Sequence, residues 1–188
     1  MFRYIARFIP LIICVIFNFV SVFGESTEQL NADIAEQPAR IAELEKAYAA
    51  GEIAPVDEAS FFDGDLNAQL DAGLKFNEIA FIATHNSYQK KSVPSMRKLF
   101  GNLDELTFGF IAGETGDFES QTLTQQFNCG IRSIEMDIET VEKDGKITFT
   151  CMHTPPIDMT TSCYDLALAL KEISLWSDNN PSHLPITV

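Results

Sequence analysis

Apolar residues follow one another almost unbroken from Phe8 to Phe23, and the pattern then loosens to Leu30, Ile34, Ile41, Leu44 and Tyr48. That spacing predicts one or two surface helices between Glu25 and about Leu74. Gly51, Pro55 and the stretch Phe61-Phe62-Asp63-Gly64 punctuate the segment. From Phe76 the texture changes. Ile79-Ala80-Phe81-Ile82-Ala83 is a short, continuously apolar run of the kind that forms a strand buried on both faces, and it ends in Thr84-His85-Asn86-Ser87-Tyr88.

A helix is predicted over Gln121 to Cys129, with Gly130 where a left-handed cap suits glycine. In the strand predicted from Ile131 to Glu139, one face carries Ile131, Ser133, Glu135 and Asp137, and the other carries Arg132, Ile134, Met136 and Ile138. Lys143-Asp144-Gly145-Lys146 signals a turn into a further strand, Ile147 to Met152, so the chain folds back as a hairpin and returns His153 towards Glu135. A three-residue loop would set His153 on the same side as Glu135 and a two-residue loop on the opposite side; a shared site calls for the first. Ser162 with Asp165 reads as a capping box, Leu166, Ala169, Leu170, Ile173 and Trp176 mark one face of a helix ending near Asn179-Asn180-Pro181, and Leu184 to Val188 starts another strand.

Alternating strands and helices with polar residues at strand ends predict the α/β class and a (β/α) barrel of the TIM type, which normally needs about 250 residues. About half of one is expected in residues 75–188, behind a signal peptide at 1–24 and an acidic, mostly helical leader segment at 25–74. The signal reading rests on Arg3 and Arg7 ahead of the apolar run and on Val22-Phe23-Gly24 at its end, with cleavage after Gly24 and secretion as the consequence. Pro10 and Asn18 interrupt the run, leaving it short of the roughly 20 apolar residues that an uncleaved anchor would need.

Hydrophobic residues make up 46% of the 188-residue chain and charged residues 21%, an ordinary globular balance that argues against disorder. The formal charge is -14, and without Arg3 and Arg7, the only charges of the leader, it becomes -16. Nucleic acid is a poor partner for such a surface, and an anionic membrane would repel it unless a bound cation or a local basic patch offset the charge. Cys14 leaves with the leader, so Cys129, Cys151 and Cys163 remain, allowing one bridge such as Cys151 to Cys163. With no C-x-x-C pair and scattered histidines, structural zinc is not indicated.

Glu135 and Asp137 stand two apart on the predicted strand, so their carboxylates project from one face. A divalent cation would relieve their repulsion, and oxygen ligands suit calcium or magnesium; solvated acids on an exposed strand are the commoner occurrence of the pattern alone. His85 and Asn86 are neighbours that converge only where a strand ends, as barrel catalytic groups do; a packed histidine and a capping asparagine are the alternative. His153, ahead of the rigid Thr154-Pro155-Pro156 turn, is a second candidate proton donor or simply a turn histidine, and His183 is read as having no role. Lys90, Lys91, Arg97 and Lys98 form a basic cluster that either meets phosphate or lipid headgroups or is a solvated loop.

Taken together, four segments resemble the phosphatidylinositol-specific phospholipases C, and among them the secreted calcium-dependent branch. They are Phe81-Ile82-Ala83-Thr84-His85-Asn86-Ser87-Tyr88; Leu123 through Gly130-Ile131-Arg132-Ser133-Ile134-Glu135-Met136-Asp137; His153; and Trp176-Ser177 through Leu184-Pro185-Ile186. The resemblance begins near Leu74 and implies a barrel with calcium at Asn86, Glu135 and Asp137, with His85 and His153 serving phosphoryl transfer. It also implies a phosphoinositide substrate at a membrane surface, attack of the inositol 2-hydroxyl on phosphorus, and release of diacylglycerol and a cyclic inositol phosphate, with Glu135 able to double as base. Arg132 is read as structural. A further acidic ligand usually follows on the next strand, which here begins at Pro185-Ile186-Thr187-Val188, so a shortened and inactive form of the enzyme is one expectation. Two others are a glycerophosphodiester phosphodiesterase, a family that prefers Arg where this chain has Asn86, and a non-catalytic secreted lipid-binding protein.

Overall fold

The computed structural model describes residues 2–61, 73, 75, 78, 80–108, 116–143, 145–156 and 158–188. Phe62, Asp63, Gly64, Leu74, Phe76, Ile79 and Asp144, on which some of the sequence expectations fall, lie outside the described residues.

Helix α1 runs from Phe2 to Ala49 and includes the first half of the acidic leader segment. It passes through Pro38, whose ring removes one backbone hydrogen bond. Tertiary contacts on either side of that proline hold the helix. Gln37 donates to the Asp165 carbonyl at 2.9 Å and accepts from the Asp165 amide at 2.8 Å, while Arg40 reaches the Ser162 carbonyl at 2.6 Å and the Glu172 carboxylate at 3.1 Å. The apolar stripe contributes less than its spacing predicts. Ile41 and Tyr48 are buried, Ile34 is exposed, and the deepest residues of the contact include Asp33 and Gln37. Among the described residues no helix is long and apolar enough to cross a membrane.

The first strand, β1, comprises only Ala83–Thr84 and pairs in parallel with β2, Ser133–Ile134, in the register Ala83↔Ser133 and Thr84↔Ile134. Ser133 forms a further parallel bridge with Thr187. The segments at Ala83, Ser133 and Thr187 thus lie side by side in parallel, with the later hairpin between the second and third in the chain, an arrangement that barrels share with other parallel sheets. Among the described residues both sheets are two-stranded and no barrel is closed. The strand expected to be buried on both faces is not: Ile82 is 66% exposed. Its pairing with β2 covers one edge over two rungs and provides no layer against its outer face.

The strand predicted over Ile131 to Glu139 is divided. After β2 the chain leaves the ladder at Glu135 and resumes as β3, Ile138–Lys143, which pairs antiparallel with β4, Lys146–Cys151. Lys143 faces Lys146, so the hairpin has the two-residue connection and not the three-residue loop that a shared site calls for. Gly145, with φ of 72°, supplies the positive torsion that such a connection needs.

Helix α2, Pro94–Thr107, begins on its proline, and its Met96, Leu99 and Phe100, with Val93 just before it, pack against Val22 of α1. In α3, Leu123–Asn128, Thr122 and Gln125 form a reciprocal capping box, and Gly130 follows the helix with φ of 87°, as its sequence position predicts. Helix α4 spans Leu166–Asn179 and is capped by Asp165, whose carboxylate accepts from the Leu168 amide at 3.1 Å. Ser162, expected to cap it, lies three residues further back and donates its hydroxyl to the Tyr88 carbonyl at 3.1 Å.

The main core joins Tyr88, Leu123, Phe127, Ile134, Cys151 and Trp176, among others. Phe127 and Trp176 meet with ring centroids 5.1 Å apart and tilted planes, a contact worth about 0.5–1.5 kcal/mol beyond area burial. Cys129, Cys151 and Cys163 are free thiols, so the bridge allowed by their number does not form. Cys151 and Cys163 share the core instead. Burial pushes both thiols up to about 12, with nearby carboxylates adding to the effect.

Candidate active site

The tip of β1 turns sharply at Asn86, which takes a left-handed conformation, φ 47°, tolerated by asparagine better than by most side chains. The turn folds Ser87 back onto the end of β2. Ser87 donates its amide to the Glu135 carbonyl at 3.0 Å, and its hydroxyl oxygen accepts the Glu135 amide at 3.0 Å. These bonds take the place of the next rungs of the parallel ladder. They also explain the break in the predicted long strand, because the backbone groups of Glu135 are already committed to the loop.

Held this way, the Glu135 carboxylate accepts the Asn86 backbone amide through Oε2 at 2.7 Å, and the His85 Nε2 lies 3.7 Å from the same oxygen. The His85 ring is largely exposed and Glu135 about half so, which leaves both accessible from solvent. Asn86 is buried at 2% exposure, and among the described residues its side-chain Oδ1 has no hydrogen-bond partner. A buried amide oxygen without a donor costs about 1–3 kcal/mol, so this one is open to a donor or a cation.

Asp137 joins through Tyr88, whose hydroxyl donates to Oδ2 at 2.9 Å. The tyrosine is fully buried, and burial, followed by the adjacent Asp137 and Glu135 charges, pushes its pKa far up, so it remains a neutral donor. Four of the five residues singled out from the sequence, His85, Asn86, Glu135 and Asp137, are therefore gathered at the ends of two paired strands. Two residues that sequence reasoning passed over, Ser87 and Tyr88, connect them. The only signal was their place directly after His85-Asn86; their partners lie 48 and 49 positions away.

His153 stands apart from these contacts. Its ring is exposed, and Nδ1 meets the neighbouring Thr154 hydroxyl at 3.1 Å. The hairpin register accounts for this, since continuing the Lys143↔Lys146 pairing would set His153 opposite Met136 and not Glu135. The turn after it is tied by reciprocal backbone hydrogen bonds between Thr154 and Asp158 at 3.3 and 2.9 Å.

The basic cluster is largely neutralised within the chain. Lys90 binds Asp33 and Glu36 at 2.7 and 2.8 Å, while Lys91 and Arg97 both reach Asp117, at 3.2 and 3.0 Å. His183 bonds Ser177 at 2.6 Å and lies edge-on to Trp176. Arg132 is fully buried against Glu58 and stacks over Trp176 at 4.7 Å, which makes it structural.

No group of three or more His, Cys, Asp or Glu among the described residues is arranged to hold a metal ion. The oxygen donors here number two carboxylates and one amide, all at the strand ends. Hollows of about 320 Å³ beside Phe149 and Leu170 and about 360 Å³ beside Lys90 and Gln125 are lined by other residues than these. No family model, curated protein or solved structure matches the chain.

Proposed function

We propose that this chain carries the cation-binding and proton-transferring residues of a phosphoric diester hydrolase of the phospholipase C type, secreted, calcium-dependent and acting on phosphatidylinositol at a membrane surface. The observation that supports this reading most is the buried, partnerless Oδ1 of Asn86 beside the Glu135 carboxylate and the exposed His85. An amide oxygen and two carboxylates form a hard donor set that fits calcium or magnesium and would be held by Asn86, Glu135 and Asp137. When bound, calcium lowers the pKa of an attacking hydroxyl and neutralises charge on phosphoryl oxygens.

The remaining chemistry falls to the chain's own side chains. The inositol 2-hydroxyl oxygen bonds to phosphorus, its proton passes to Glu135 or, through it, to His85 at 3.7 Å, and the bond from phosphorus to the diacylglycerol oxygen breaks. Protonated His85, opposite the Glu135 carboxylate and open to solvent, can donate to a phosphoryl oxygen. The candidate acid for the leaving alkoxide is His153, whose exposed ring meets the Thr154 hydroxyl through Nδ1 and has to swing from that contact to reach a phosphate held by the other four residues. The products are diacylglycerol and a cyclic inositol phosphate.

The test is calcium-dependent release of inositol phosphate from phosphatidylinositol vesicles by the purified chain, abolished by a chelator and by His85→Ala. Vesicle binding without turnover would overturn this reading in favour of a lipid-binding protein. Hydrolysis confined to the deacylated glycerophosphodiester would favour a glycerophosphodiester phosphodiesterase.

A further inference from the structure

Tyr88 has no assigned role in the reading above, yet it is the most constrained side chain at the site. Its ring is fully buried in the main core beside Leu123, Phe127 and Trp176. Its carbonyl is gripped by the Ser162 amide at 2.8 Å and the Ser162 hydroxyl at 3.1 Å. A ring fixed at both ends of its residue can deliver its hydroxyl to one place only, and that place is Asp137 Oδ2, 2.9 Å away.

The consequence appears when the oxygens are followed one by one. Glu135 has Oε2 committed to the Asn86 amide, and Asp137 has Oδ2 committed to Tyr88. Among the described residues no donor reaches Glu135 Oε1, Asp137 Oδ1 or Asn86 Oδ1. Glu135 and Asp137 thus each have one oxygen anchored and one left over, and Asn86, held through its backbone amide, has its side-chain oxygen left over. Anchoring is what distinguishes this set from two acids on a solvated strand, whose carboxylates would rotate freely.

We propose that Tyr88 is a positioning residue: by occupying Oδ2 it presents Asp137 as a single-oxygen ligand, so that a divalent cation at Asn86, Glu135 and Asp137 takes three oxygens from these side chains. Calcium accepts about six to eight oxygen ligands, so half or more of its shell stays open for phosphate, hydroxyl or water oxygens. A calcium site closed by protein alone would need further carboxylate, carbonyl or amide oxygens beyond these three. This inference rests on the cation site proposed above and deepens it, from the presence of a metal to how its ligands are set.

The experiment is calorimetric titration of the full chain with calcium chloride, with the metal-free melting temperature measured alongside. In Tyr88→Phe, which keeps the ring and loses the hydroxyl, calcium affinity should fall about 10–100-fold while the metal-free melting temperature stays near that of the wild type. Unchanged or tighter calcium binding in Tyr88→Phe would overturn the positioning role and leave the cation site standing. Failure of the wild-type chain to bind calcium at all would overturn the cation site itself, and this inference with it. Should Tyr88→Phe not fold, Asp137→Glu reads the same geometry from the other side, because it keeps the charge and moves it by one methylene. It too should lose at least about tenfold, and equal affinity would overturn the proposal.

Discussion

Arg132 and Glu58 stand 74 positions apart in the chain and meet as a doubly hydrogen-bonded ion pair, with Nε 2.9 Å from Oε1 and Nη2 on Oε2. Arg132 also donates to the Phe127 and Ile131 carbonyls, and Glu58 accepts the Leu184 amide, so the pair ties the short turn at Glu58–Phe61 to the base of the candidate site. Arg132→Met should leave Glu58 charged and buried and cost about 3–5 kcal/mol in denaturant unfolding. Arg132→Lys, lacking the planar fork, should recover only part of this, whereas Arg132→Met with Glu58→Leu should recover most of it.

Lys90 bridges the loop after the candidate site to Asp33 and Glu36 on α1. Its hydrogen bond to Glu36 holds that carboxyl below the usual carboxylate range, against the opposing effect of burial. Burial by itself would lower the Lys90 pKa, but the hydrogen bonds to Asp33 and Glu36 outweigh it and raise the ammonium above its ordinary value. The Glu36 contribution to stability is complete above its unfolded value of 4.5 and is lost as pH falls through the lower folded one. The Lys90 contribution is complete below 10.5 and is lost as pH rises through the higher folded value. Lys90→Met should therefore cost about 1–3 kcal/mol at neutral pH, and thermal melts should bring wild type and variant together on the acid and alkaline flanks of that window.

Thiol chemistry should separate the cysteines by burial. Cys129 is exposed, whereas Cys151 and Cys163 are buried with pKa values pushed up to about 12. At neutral pH iodoacetamide should alkylate Cys129 and spare Cys151 and Cys163 in the folded chain, and all three should react once it is denatured. Peptide mass mapping before and after denaturation checks this.

Asn86 offers a way to separate stability from binding. Glycine accepts the left-handed torsion at no steric cost, so Asn86→Gly should change stability by no more than about 1 kcal/mol. It also deletes the partnerless Oδ1, and calcium affinity should fall by about tenfold or more in the same calorimetric titration. Large destabilisation with unchanged affinity would assign Asn86 to the fold and not to a cation.

Parts of this were legible in the residues. The helical spacing of Glu25 to Tyr48, the glycine after α3, the turn at Gly145 and the end of α4 near Asn180 all follow from local chemistry, and the structure has them where the pattern puts them. The adjacency of His85 and Asn86 at a strand end was readable for the same reason, because an apolar run of a few residues stops there. What failed were inferences that needed a partner. The hairpin register depended on how Lys143 meets Lys146, and both loop lengths satisfied the sequence. Ser162 looked like a cap, yet Asp165, closer to the first free amide of α4, took that place and left Ser162 for the Tyr88 carbonyl. For the basic cluster the residues left open both a phosphate contact and a solvated loop, because the acids that bind it, Asp33, Glu36 and Asp117, lie elsewhere in the chain.

By itself the sequence determined where helices and turns form and which residues bear ionisable or metal-loving atoms, since torsional preference and side-chain chemistry are properties of a residue and its near neighbours. Only the tertiary structure decided that Asn86 Oδ1 is buried without a partner, that Tyr88 holds Asp137 and that His153 lies outside the network joining the other four. Those facts depend on atoms brought together across nearly 50 or more residues, by strand pairing, burial and hydrogen bonding, and no local pattern encodes the distance between them.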